Sequence, residues 1–157
     1  MILKTTYYKI IFLLFAMMLV FTNVNAQYAS QDELKKAAQT FFDEENYIEA
    51  LPLYSQLLSL YPKDPEYNYK YGASYFFGNR EKEEALKYLT FAASKPNVNP
   101  QAFYFLGLAL HHEYRFSEAE VNYKKFKEKG TPKDIQDFQV DRKIEMCRNG
   151  VTLLKSM

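Results

Sequence analysis

The only two histidines of the chain stand side by side, followed by an acid: His111-His112-Glu113. Imidazoles and a carboxylate are the raw material of zinc sites and of acid–base catalysis. Their spacing argues against both. Adjacent residues of a helix point about 100° apart, so three in a row diverge. A helical zinc pair needs histidines four residues apart plus a further ligand. As the polar end of a helix the triplet has a simpler use, since histidine there suits the negative end of the helix dipole. Read as chemistry, the triplet would make the chain a small cell-wall enzyme or metal-binding protein. That alternative stands beside the reading developed below.

Other chemistry is scarce. There is no glycine-rich phosphate loop and no nucleophile elbow. The acids at Asp43-Glu44-Glu45 and from Glu81 to Glu84 cluster in polar turns. Such exposed carboxylates lack an apolar pocket that would raise their pKa. The single cysteine, Cys147, has no partner for an internal disulfide and reads as a small buried apolar residue. No cofactor, metal or small-molecule substrate is expected.

The elements that would position these residues begin after an unusual start. Lys4 and Lys9 precede an unbroken apolar run from Ile10 to Phe21, and a short polar stretch follows to Ala26. That order is the grammar of a secretory signal peptide, cleaved after Ala26. Twelve apolar residues are short of the roughly 20 needed to cross a bilayer. The expected location is the periplasm or the outer membrane, with the membrane involved only indirectly. Loss of residues 1–26 takes Lys plus Arg from 20 to 18 against 19 acids, a balance of −1. Mixed charge near neutrality gives no footprint for nucleic acid.

The 157 residues suit one domain. Its organising feature is a repeat. The stretches beginning at Ala37, Tyr71 and Leu106 share a small residue, an aromatic or Leu three places on, a polar turn, Glu-Ala, and a further aromatic or Leu. Ala38, Gly72 and Gly107 are spaced 34 and 35 apart, and Ala50, Ala85 and Ala119 are spaced 35 and 34 apart. A fixed period of this length marks a stacked helical array. Leu34, Ala37, Ala38 and Phe41 fall at helical spacing, as do Ala50, Leu51, Tyr54, Leu57 and Leu58. Each unit is therefore two helices, with the small residues where they approach closely. Pro62, Pro65, Pro96, Pro100 and Pro132 mark the unit ends. Residues 134–155 are expected to form one helix that caps the array, with Ile135, Phe138, Ile144, Met146, Cys147 and Leu154 as apolar members.

This pattern resembles the tetratricopeptide repeat. The family slots are filled by Leu34, Ala37-Ala38, Phe41, Ala50, Tyr54 and Pro62 in the first copy, and by Asn68, Tyr71-Gly72, Tyr75, Ala85 and Leu89 in the second. The third copy uses Phe103, Leu106-Gly107, Leu110, Ala119 and Tyr123. Asn68 in an apolar slot is a departure, and the second copy has one extra residue in its turn. The resemblance implies an all-α, right-handed α-solenoid of three hairpins, at about 31–64, 65–99 and 100–133, with 134–157 as capping helix and tail.

The stretches "ENYIEALPLYSQLLSLYP", "YNYKYG" and "DRKIEMCRNG" are also similar to the N-terminal repeat segment of large Gram-negative envelope proteins. Those carry propeller-like and OmpA-type domains, and some serve type IX secretion and gliding. On that likeness the chain is a truncated or stand-alone version without the wall-binding domain.

The family's first helices line a groove for a protein or peptide partner. Projected onto this chain, the groove takes Lys35, Gln39 and Phe42, then Tyr69, Lys70, Ala73 and Phe76, then Tyr104, Leu108 and His111. Gln101 and Phe105 occupy slots that are basic in members gripping a peptide carboxylate, so an aromatic groove is expected instead. Tyr69, Phe76 and Tyr104 are expected outside the hairpin cores, with Lys35 and Lys70 beside them favouring an acidic partner.

Overall fold

The computed structural model describes residues 30–78 and 82–157. The signal-peptide reading and the extra turn residue near Glu81 fall outside or at the edge of those residues. Among the described residues eight α-helices follow one another: α1 Gln31–Asp43, α2 Tyr47–Leu60, α3 Pro65–Gly78, α4 Glu83–Ala93, α5 Gln101–His112, α6 Phe116–Lys129, α7 Pro132–Asp137 and α8 Val140–Ser156. The described residues contain no strand. The architecture is an all-α solenoid of helix hairpins, α1–α2, α3–α4 and α5–α6.

The small residues set the close approach of the helices. A Cβ on Gly72 would lie 2.8 Å from Cγ of Leu89, and one on Gly107 would lie 2.6 Å from Cε1 of Tyr123. Ala38, Ala50, Ala85 and Ala119 are fully buried. In the first hairpin the ring of Phe42 meets that of Tyr54 edge-on at 5.8 Å. Successive hairpins stack through neighbouring helices, α2 on α3 and α4 on α5.

Two hairpin turns are built alike. The N–H of Asn46 donates to the Phe41 carbonyl at 2.8 Å, and the N–H of Arg115 donates to the Leu110 carbonyl at 2.9 Å. In each, the preceding residue is left-handed: Glu45 at φ 56° and Tyr114 at φ 58°. This six-to-one bond over a left-handed residue satisfies orphan carbonyls at the end of a helix.

Pro65 and Pro132 open α3 and α7, where a missing N–H costs nothing. Ahead of α7, the Thr131 hydroxyl oxygen accepts from the Asp134 N–H. Asn68, the departure from the apolar pattern, is buried and donates to the Pro62 and Asp64 carbonyls at 3.1 and 2.7 Å. It ties down the loop between the first two hairpins, a task no apolar residue performs.

The capping segment differs from expectation. It is two helices, broken at Phe138 and Gln139, with Gln139 left-handed at φ 49°. The break turns α8 onto α6, where Val140, Ile144 and Cys147 are buried. Met146 and Leu154, expected to pack inward, are exposed. Met146 is turned about 100° from Cys147 around the axis, whereas Leu154 shares the Cys147 stripe but lies past the buried stretch, where it lines a hollow with Tyr114 and Phe116.

Candidate functional site

The first helices α1, α3 and α5 meet in a cluster of rings. Phe42 contacts Tyr69 at 6.0 Å and Phe105 at 5.9 Å, both edge-on. Tyr69 stacks on Phe105 at 6.3 Å. Phe77 meets Phe105 edge-on and stacks on Tyr47 at 4.6 Å. Thus the first hairpin touches the third directly, through rings, across the face where an open aromatic groove was expected.

That contact corrects the projected groove. Tyr69 is 1 % exposed, and Phe42, Ala73 and Phe76 are also buried. Tyr104 is buried because Phe138, at the α7–α8 break, stacks flat on it at 4.3 Å. The expectation that Tyr69, Phe76 and Tyr104 stand outside the core fails. Aromatic area of this size is stabilising when removed from water, and neighbouring hairpins supply the cover.

Lys70 is only 6 % exposed. Its ammonium group donates to Gln39 Oε1 and pairs with Glu66 at 2.7 Å. The rings of Phe42, Tyr54 and Tyr69 lie 5.7, 5.9 and 5.7 Å from it. A buried charge is tolerable only when paired and hydrogen-bonded, and here both conditions hold. Tyr69 adds a hydroxyl donating to the same Glu66 carboxylate at 3.3 Å. Lys70 is therefore a packed internal cation and gives no positive rim for an acidic ligand. Lys35 keeps partial exposure over the Tyr61 ring. Gln39 is partly buried by its bonds to Lys70 and Asp43, and Leu108 is half-buried.

The open part of this face is the edge around Phe77, which is 46 % exposed. Tyr47 lies under it, and the exposed acids Asp43, Glu44 and Glu45 begin the neighbouring turn. The phenols of Tyr47 and Tyr104 are both pushed up to about 12, by burial first and then by the Glu45 carboxylate. They remain hydroxyls at neutral pH. Phe77 went unassigned in the sequence; the Phe76-Phe77 pair was its signal, because one helix face rarely hides two adjacent rings.

The histidine triplet comes apart. His111 turns to α8, with Nδ1 3.4 Å from the Cys147 sulfur, rather than to the groove. His112 is exposed and bonds Glu113 Oε1 at 3.0 Å. Among the described residues no three His, Cys, Asp or Glu side chains gather in a metal-holding group. The Cys147–His111 pair is poised against nucleophilic use. Burial pushes the thiol up to about 11, and burial together with Lys143 holds the imidazole below its ordinary value. An activated pair needs the opposite shifts, toward thiolate and imidazolium.

No family model and no curated protein matches this chain. Among solved structures, the tetratricopeptide-repeat domain of Sgt2 from Aspergillus fumigatus is similar, with a TM-score of 0.63 and 22% identity. The match covers 83% of this chain and 84% of that one. At this identity the likeness shows the fold.

Proposed function

We propose that the chain is a non-catalytic scaffold that holds a protein or peptide partner in the cell envelope of a Gram-negative bacterium. The observation that carries this reading is the half-exposed Phe77, set on a rigid floor of rings contributed by three hairpins. A large aromatic side chain held in place by its neighbours is the usual anchor of a protein interface. The likeness to a tetratricopeptide-repeat domain supports the same reading.

Export rests on the basic start and apolar run of residues 4–21, with cleavage near Ala26 and release to the periplasm or the outer membrane. The similarity to envelope proteins suggests a secretion or peptidoglycan-associated assembly as the source of the partner. Isolation of the tagged chain from envelope extract tests the reading. A discrete protein should co-purify at moderate salt and disappear with Phe77→Ala. Recovery no better than with an unrelated helical-repeat protein would contradict it.

A further inference from the structure

We propose that the edge around Phe77 is a receptor for an arginine side chain of the partner protein, carried beside an apolar residue. This receptor rests on the scaffold reading and names the chemistry of the partner. Phe77 lies at the end of α3, on the ring floor. Its ring stacks on Tyr47 at 4.6 Å, and the rings of Phe76 and Phe105 stand edge-on to it at 5.0 and 6.3 Å. The side chain stays open on the side that those three rings leave free. Next to it Ile48 is 69 % exposed, and the Ile48 Cα lies 3.6 Å from where a Cβ on Gly78 would stand. Tyr47, Ile48, Phe77 and Gly78 are thus one continuous patch, built from the start of α2 and the end of α3.

Acids border the patch, and the chain leaves them unmatched. Asp43 ends α1, and Glu44 and Glu45 begin the turn into α2. All three are exposed, and among the described residues no cation forms an ion pair with them. Asp43 accepts from the neutral Gln39. Other acids are matched: Glu66 by Lys70, Glu118 by Arg115, and Glu120 by Lys124 and Arg148. Burial first, and then the Glu45 carboxylate, push the Tyr47 phenol up to about 12, so this carboxylate acts on the ring that lies under Phe77. Glu45 holds its place at a cost, since its backbone is left-handed at φ 56°, where glycine is the relaxed residue. A side chain kept on strained backbone points to a use for that side chain.

An open aromatic ring beside unmatched carboxylates is complementary to a cation, because the face of the ring is itself negative. The chain makes this contact on the neighbouring ring, where the Lys82 ammonium lies 4.8 Å from the centroid of Phe76. Arginine suits the patch better than lysine. Its guanidinium is planar and weakly hydrated, it stacks flat on a ring, and its fork of N–H donors bonds a carboxylate at the same time. Ile48 then covers an apolar residue next to the arginine. An acidic segment would meet Glu44 and Glu45 with like charge.

The test uses the full chain and three labelled 12-residue peptides of Gly, Ser and Leu that differ at two central positions, which hold arginine, lysine or citrulline. Citrulline keeps the planar shape of arginine without its charge. The arginine peptide should bind about tenfold tighter than the citrulline peptide and also tighter than the lysine peptide. Its binding should weaken as salt rises. Glu45→Gly should bring it down to the citrulline level without lowering the melting temperature, and Glu45→Gln, which keeps the shape, should do the same. Phe77→Leu should weaken it while the circular dichroism stays unchanged. Equal binding of the arginine and citrulline peptides, binding of neither, or an arginine preference that survives both Glu45 variants would overturn the proposal. So would a preference that appears only in Arg80→Ala, since the chain's own arginine would then be the occupant. If the preference is missing while the envelope partner is still recovered through Phe77, the arginine receptor alone is lost. If the arginine peptide binds through Glu45 and Phe77 while no envelope partner is recovered, the scaffold reading alone is lost.

Discussion

Gly107 lies against the ring of Tyr123 so closely that a Cβ would meet Cε1 at 2.6 Å and Cδ1 at 2.7 Å. The third hairpin is closed by that contact. Gly107→Leu should therefore lower stability in chemical denaturation by about 1–3 kcal/mol, the usual cost of overpacking. His112→Ala, on an exposed side chain, should stay within about 0.5 kcal/mol. Equal effects would contradict the hairpin register.

Glu45 is left-handed at the first hairpin turn and exposed. Side chains other than glycine are strained there. Glu45→Gly should raise the melting temperature, corresponding to about 0.5–1 kcal/mol. A lower melting temperature would mean that the Glu45 side chain, near Tyr47 and Tyr104, matters more than its backbone.

The Lys70–Glu66 pair predicts an asymmetry. Glu66→Ala leaves a buried ammonium with Gln39 and three rings, while Lys70→Met removes the charge and keeps the volume. Removal of one partner from a buried pair is the costly change. Glu66→Ala should destabilise by about 1–2 kcal/mol, discounted because the carboxylate is 39% exposed. Lys70→Met should cost less. The reverse order in urea melts would show that the aromatic floor depends on the cation.

His111 gives a pH dependence of known sign. Burial and Lys143 lower its folded pKa, so the fold favours the neutral ring. Its contribution to stability is present in full above the ordinary imidazole value of about 6.5 and is lost as pH falls from there through the lowered folded value. Denaturation midpoints should fall with pH across that window, and His111→Gln should flatten the slope. An unchanged slope in His111→Gln would remove His111 as its source.

The hairpins were legible because their signal repeats: Ala38, Gly72 and Gly107 recur wherever two helices must touch, whatever lies elsewhere. The groove was less so. Position along a first helix says which way Tyr69 and Tyr104 point, but not whether something covers them. Their covers, Phe105 and Phe138, come from other elements, and the break at Gln139 that swings Phe138 onto Tyr104 has no strong sequence marker. Lys70 misled for the same reason, since a lysine read alone is exposed, and only Glu66, Gln39 and three rings make its burial tolerable. The divergence of His111 and His112, by contrast, follows from helical geometry alone.

The scaffold reading turns on whether a protein sits against Phe77. A photo-crosslinking residue placed at position 77, with another at the exposed Val121 of α6 as control, reads this in the envelope without purification. The account predicts a discrete higher-mass adduct from position 77 and none from position 121. Adducts from position 121 alone, or from neither position, would contradict it.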